Sequence, residues 1–355
     1  MGVLVWVRHE SRVTERRAPL APEHARELTR RGVRLVVEES PQRIFPIDAY
    51  AVAGCAVAGA GTWPSAPPET YVLGLKELPP QPYALSHRHI YFGHAYRGQP
   101  GGAALLRRFT AGGGELLDLE YAVDSADRRI AAFGYWAGYA GASLAALYAR
   151  GRLDTPLTHR AKSAWDAALD GLRASGQSSR RTVEAVVVGA KGRCGTGACE
   201  ALERAGIRTT RWGTPETAHL DRRLLLAHDI LVNAIGTSAP VHPLLTKDDL
   251  DDPARRLGVL CDVTCDLGSP CNAVPVYDRL TTWQEPVRRV HDGDPAFAVL
   301  ALDNLPSLLP MESSRAYSAD LWPHLLTLGT DGPVAPVWAR SIDAFRVSLA
   351  RTGLG

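Results

Sequence analysis

Apolar residues in this chain fall into short runs separated by charged, glycine-bearing or proline-bearing segments, the layout of buried strands alternating with helices. Residues 3–7 read as a strand, residues 22–31 as a helix and residues 33–38 as a second strand, with a charged turn to Arg17 after the first of them. Gly32 falls just past the helix, where a left-handed cap favours glycine. Further strands are expected at residues 71–75, which run into Lys76-Glu77 and a Pro-Pro stop, at 90–94 and at 116–121.

The second half repeats the scheme. Residues 131–150 are small and helical, with Gly134, Gly138 and Gly141 permitting close packing, and they read as the connection between two domains. Residues 171–181 are polar and read as a loop. Residues 182–188 form a Val-rich strand that delivers the chain into Gly189-Ala190-Lys191-Gly192-Arg193-Cys194-Gly195. A helix over 196–205, ended by Gly206, a strand at 207–212 and later strands at 230–233 and 259–263 complete the pattern. Strands separated by helices predict an α/β fold with parallel sheets.

Of these features the glycine turn carries the most chemistry. A dinucleotide pyrophosphate needs a tight reversal after a strand, close backbone approach, and a helix N-terminus whose positive dipole end meets the anion. Ala190 stands where the first glycine of the usual pattern falls, whereas Gly192 and Gly195 hold the other two positions. The acid that normally grips the ribose hydroxyls about 20 residues on is missing, for the second strand ends Arg211-Trp212-Gly213-Thr214. Arg211 and Thr214 would tolerate a 2′-phosphate, so NAD and NADP both stay open. Lys191 reads equally as a phosphate contact or as a solvated side chain.

Composition narrows the function classes. A chain of 355 residues with 45% hydrophobic side chains is long enough for two domains with separate cores. Lys and Arg total 40 against 38 for Asp and Glu, a balance that recommends a small-molecule substrate and argues against nucleic acid or a membrane surface as partner. No apolar run has the ~20 residues of a membrane span and no signal peptide is seen, so a cytoplasmic protein with reduced cysteines is expected. Cys261, Cys265 and Cys271 lack a CxxC pair, and no metal site is expected from them.

Lys76-Glu77, His94 and Glu120 follow three of the expected strands, where an open α/β sheet places its ligands. A lysine among other cations can titrate low enough to act as a base, and a histidine needs little shift to do so. Taken singly, a Lys-Glu pair is usually a surface ion pair and a lone histidine usually just a residue at a strand end. Arg12, Arg16, Arg17, Arg128 and Arg129 supply guanidinium groups suited to bidentate binding of carboxylates.

Taken together, Gly74-Leu75-Lys76-Glu77, Phe92-Gly93-His94-Ala95-Tyr96, Asp118-Leu119-Glu120-Tyr121, Arg128-Arg129-Ile130-Ala131-Ala132-Phe133-Gly134, Gly192-Arg193-Cys194-Gly195 and Asp303-Asn304-Leu305-Pro306-Ser307-Leu308-Leu309-Pro310 resemble the motifs of lysine-forming saccharopine dehydrogenases, from about Glu10 to Arg340. That family is itself similar to alanine dehydrogenase and the transhydrogenase N-terminal region. The resemblance implies two Rossmann-like domains with the active site between them: a substrate-binding domain from residues 1–134 and 305–355, and a dinucleotide-binding domain from 135–304. It implies NAD(P)-dependent oxidative deamination of saccharopine to L-lysine and 2-oxoglutarate through an imine, with Lys76 and His94 as the catalytic acid–base groups. Arg17, Glu77, Gln99, Glu120, Arg128 and Arg129 would bind substrate, and Gly192, Arg193, Cys194, Gly195, Gly213 and Asp303 would line the cofactor. Arg12 and Arg97 stand where the family commonly has lysine, and Gly213 where it has the ribose-binding aspartate. Another opine-forming or alanine-dehydrogenase-like enzyme, and a non-catalytic nucleotide sensor, remain as alternatives. Oligomeric state is left open.

Overall fold

The computed structural model describes residues 2–176, 182–237, 239–330, 332 and 335–354. The chain divides into two compact units, one from Met1–Ala132 with Ser313–Gly355 and the other from Phe133–Glu312.

The first unit contains β1 (Leu4–Val7), α1 (Pro22–Arg30), β2 (Arg34–Glu38), α2 (Ile47–Val52), β3 (Ala56–Ala58), β4 (Tyr71–Leu73), β5 (Arg88–Tyr91), α3 (Gly102–Gly112) and β6 (Glu115–Asp118). Among the described residues its sheet has six parallel strands in the order β3-β2-β1-β4-β5-β6. The chain thus winds outward from β1 in one direction and then, through β4, in the other. That reversal creates the switch point at which open parallel sheets take their ligands. Helix α1 begins on Pro22 and is followed by Gly32 at φ 86°, a start and a stop both legible in the sequence.

The second unit contains α4 (Gly134–Ala149), α5 (Lys162–Gly176), β7 (Glu184–Val188), α6 (Arg193–Arg204), β8 (Arg208–Trp212), α7 (Thr214–Ala218), α8 (Arg222–Leu226), β9 (Ile230–Asn233), β10 (Val259–Asp262), β11 (Arg288–His291) and β12 (Phe297–Leu300). Its sheet runs β11-β12-β10-β9-β7-β8, parallel except at the β11 edge, which pairs antiparallel with β12. Strand β7 explains why the sequence lacks polar alternation here. Ala185 and Val187 enter one apolar core while Val186 and Val188 enter another, so both faces are buried and the strand reads as a continuous apolar run. Two further helices follow, α9 (Pro310–Leu325) and α10 (Pro336–Arg351). Within the first unit, Ser314 and Ser318 of α9 accept the backbone N–H groups of Ala18 and Ala21, and Ser341 of α10 donates to the Asp118 carbonyl.

Several expected boundaries move. Residues 171–176, expected as loop, are the last turns of α5, because Trp165, Leu169 and Leu172 carry a buried helical stripe through the polar sequence; residues 177–181 of that segment lie outside the described residues. Strand β5 stops at Tyr91 and leaves His94 in a loop at φ 49°, and the strand expected over 116–121 ends at Asp118 in a turn closed by the Tyr121 N–H on the Asp118 carbonyl. Helix α6 starts at Arg193, three residues early, so Gly195 and Gly197 lie in its first turns. The expected connector, α4, packs within the second unit: a Cβ on Gly138 would lie 1.7 Å from the Cys194 carbonyl oxygen and one on Gly197 would lie 2.0 Å from that of Tyr135. Glycine lets α4 and α6 touch backbone to backbone. No described helix is long and apolar enough to cross a membrane.

Candidate functional sites

In the first unit, the exits of four neighbouring strands, β1, β4, β5 and β6, carry the charged groups. Past β4, Gly74 is glycine because the Arg8 guanidinium fills the space of its side chain: a Cβ there would lie 2.4 Å from Arg8 Nε. Arg8 is buried and paired with Glu10 at 3.2 Å. The Glu10 carboxylate accepts the backbone N–H groups of Leu75 at 2.7 Å and Lys76 at 3.0 Å, and Arg8 donates to the Lys76 carbonyl. Lys76 is therefore presented on backbone clamped from both sides by a buried ion pair. Glu77, next along, is exposed and accepts a two-pronged contact from Arg12 (2.9 and 3.2 Å), which outweighs partial burial and holds its carboxyl below the usual range.

Past β5, His94 adopts a left-handed backbone, uncommon for a non-glycine residue. The adjacent Gly93 N–H donates to Asp118 Oδ2 at 3.2 Å, and the other carboxylate oxygen of Asp118 accepts the Glu120 N–H at 2.9 Å. One buried carboxylate thus ties the β5 and β6 exits together. Burial raises the Asp118 carboxyl to about 7, with the charge of Glu120 adding to the rise and the backbone N–H donors opposing it. Arg129 pairs with Glu120 at 3.1 Å.

The expected carboxylate-binding arginines differ in setting. Arg17 is buried and bound through two nitrogens to Glu15. Burial alone would raise Glu15, but Arg17, with a smaller contribution from the Lys76 charge, pulls its carboxyl down to about 2. Arg128 is exposed and paired with Asp124 at 2.9 Å. Gln99 accepts the Arg97 N–H through Oε1, and Arg97 reaches the Tyr121 hydroxyl at 3.2 Å. A cavity of about 320 Å³ lies beside Glu77, Tyr91 and His94, closed by the start of α3.

In the second unit the equivalent feature is made of backbone. Gly189 takes φ 80°, and a Cβ there would lie 2.6 Å from the Ala234 carbonyl oxygen. It is this residue that supplies the tight reversal, which is why alanine is tolerated at 190. The N–H groups of Gly189 and Ala190 both bond the Trp212 carbonyl, so the β8 exit is fastened against the turn. Gly192 caps α6, and a Cβ on Gly195 would lie 2.2 Å from the Gly189 carbonyl oxygen. The result is a bare cradle at the N-terminus of a 12-residue helix, which fits a dinucleotide pyrophosphate. Arg193 is exposed at its rim and Cys194 half-buried. Asp303 is exposed beyond β12, and Gly213 begins the turn after β8.

Sequence reasoning missed Arg8, Glu10, Glu15, Asp118 and Glu216. The last donates nothing to any apolar pattern, yet its carboxylate accepts the Gly213 N–H at 2.7 Å. Arg8 and Glu10 lie just past the first expected strand and Asp118 within the one expected over 116–121, whereas Glu15 carries no such signal. Among the described residues no three His, Cys, Asp or Glu side chains gather as a metal site would require.

The chain is similar to known proteins along most of its length. The family described as alanine dehydrogenase/PNT, N-terminal domain, matches residues 6–140, and its C-terminal domain counterpart matches residues 174–344. The chain is 38% identical to saccharopine dehydrogenase (NAD(+), L-lysine-forming) of Neurospora crassa over 98% of this chain and 96% of the relative. It is 37% identical to the protein of the same name from Schizosaccharomyces pombe over 98% of each. Among solved structures it resembles an L-alanine dehydrogenase (TM-score 0.69, 16% identity, 97% and 94% of the two chains). It also resembles the transhydrogenase of Sinorhizobium meliloti (TM-score 0.60, 17% identity, 91% and 93%). These two likenesses establish the fold, two Rossmann-like units.

Proposed function

The chain belongs to the family of lysine-forming saccharopine dehydrogenases, and from that membership we propose that it catalyses the reversible NAD(P)-dependent oxidative deamination of saccharopine to L-lysine and 2-oxoglutarate. The observation that carries the reading is near-full-length identity to enzymes of that name together with Lys76, Glu77, His94 and Glu120 on neighbouring strand exits.

The first unit is the substrate-binding one and the second binds the dinucleotide. Gly192, Arg193, Cys194, Gly195, Gly213 and Asp303 hold the cofactor, and the bare turn at Gly195 supports this. A nicotinamide bound by the protein supplies a hydride acceptor. Lys76 takes the proton of the substrate's secondary amine as the amine nitrogen's lone pair moves into the forming C=N bond and the glutamyl Cα–H bond breaks, its hydride leaving to that acceptor. His94 then removes a proton from the water that attacks the imine carbon and returns one to the nitrogen as the carbinolamine collapses, releasing the lysine amine and the 2-oxoglutarate carbonyl. Arg17 and Arg129, with Arg128, hold substrate carboxylates; Glu77, Glu120 and Gln99 bind the amino-acid portion. All three arginines have acidic partners, Glu15 for Arg17, Glu120 for Arg129 and Asp124 for Arg128, which fix the guanidinium planes.

Incubation with L-lysine, 2-oxoglutarate and either NADH or NADPH, following absorbance of the reduced cofactor, should show its consumption only when both substrates are present. Consumption with pyruvate and ammonium instead would point to an alanine-dehydrogenase activity, and no consumption with any pair would refute the assignment.

A further inference from the structure

At position 213, where the resemblance leads one to expect an acid, glycine leaves a gap at the β8 exit, and the structure shows what enters it. The side chain of Glu216 folds back from α7, its Oε2 accepting the Gly213 N–H at 2.7 Å. That oxygen stands 3.7 Å from the point a Cβ on Gly213 would occupy. The carboxylate therefore occupies the neighbourhood into which an aspartate at 213 would extend. It is close to the glycine turn as well, since the carbonyl of Trp212 is bonded by the N–H groups of Gly189 and Ala190, and the Lys191 charge acts on Glu216. The other candidate for the ribose end, Arg211, is engaged elsewhere: its guanidinium is paired with Glu203 of α6.

We propose that Glu216, three residues displaced from the usual position, is the acid that accepts the adenosine-ribose hydroxyls and selects NAD(H) against NADP(H). This rests on the reading of Gly189–Gly195 as a dinucleotide site. An exposed carboxylate already fastened to the backbone can accept from a 2′-hydroxyl through its second oxygen without reorganising. Toward a 2′-phosphate the same carboxylate presents like charge, and the nearest guanidinium at the strand end is held by Glu203.

The test is direct binding, read from the fluorescence of NADH and of NADPH titrated with protein in the absence of substrate. The unaltered protein is expected to bind NADH at least about tenfold more tightly than NADPH, and Glu216→Gln to narrow that ratio by about tenfold, the scale of one hydrogen bond to a charged group. Glu216→Gln combined with Gly213→Asp should restore the preference, because a carboxylate returns to the same place from a different residue. An unchanged ratio in Glu216→Gln, or an unaltered protein that prefers NADPH, overturns this inference while leaving the enzyme assignment standing. Failure to bind either cofactor overturns both.

Discussion

The two units share a doubly wound sheet and use it in opposite ways. In the first, the strand exits are crowded with charged side chains, and the backbone that presents them is held by buried carboxylates: Glu10 under Leu75 and Lys76, Asp118 under Gly93 and Glu120. In the second, the exit of β7, next to the edge strand β8, is a glycine turn whose backbone atoms pack so closely that a Cβ on Gly195 has no room. Two largely parallel sheets with different strand orders thus present titratable groups in one unit and exposed peptide dipoles in the other. What distinguishes the two surfaces is the filling of the strand exits.

That contrast predicts separable failures. The double variant Lys76→Met with His94→Gln should lower kcat by about 10²–10⁴-fold or more, the range of general acid–base catalysis, while leaving the Kd for NADH nearly unaltered. Loss of NADH affinity in that variant would show that the two sites are not chemically independent. Conversely, Gly195→Ala should weaken NADH binding by about 10–100-fold, since the forced displacement of the turn costs about 1–3 kcal/mol. Titration by cofactor fluorescence measures it, and a wild-type affinity would remove the cradle from the binding site.

Glu10→Gln tests the clamp under Lys76. It leaves the Arg8 charge buried without its partner, so unfolding in urea should show a loss of about 3–5 kcal/mol. Among the enzyme that stays folded, kcat should fall more than KM rises, because the backbone that aims Lys76 has lost an acceptor. A smaller effect comes from His89, buried in the first unit among Trp63, His87, Tyr91 and Phe109 with neither ring nitrogen hydrogen-bonded. Burial, aided by the Arg8 charge, holds its pKa well below 6.5. The folded state therefore binds fewer protons than the unfolded one, and stability that is complete above about pH 6.5 is lost as pH falls below it. Asp118, raised to about 7, acts oppositely: its contribution is fully present below about pH 4 and is lost as pH rises through 7. His89→Phe should shrink the fall in Tm between pH 7 and pH 5. An unchanged fall would mean that other groups govern acid lability.

The alternation of elements was legible because burial leaves a periodic trace: β7 is an unbroken apolar run, and Pro22 and Gly32 mark the ends of α1. The glycine turn was legible for the related reason that only hydrogen fits at Gly195. Less legible was the turn's own geometry, for Gly189 rather than position 190 bears the left-handed backbone. The extent of α5 was also missed, since Ser175 and Gly176 look like loop and only the stripe of buried Trp165, Leu169 and Leu172 shows otherwise.

The sequence by itself determined the class of fold, the family and the residue types available for acid–base work, since these depend on local pattern and collinear motifs. Only the tertiary structure decided which carboxylates serve which backbone. Glu10 meets Leu75 across 65 residues of chain, and Asp118 meets Gly93 across 25. Nothing periodic records such pairings, because a carboxylate's partner is set by where neighbouring strands end. The apparent defect at Gly213 has the same origin: the acid is absent from the position and present in the space, supplied by a side chain that turns back three residues to find an N–H.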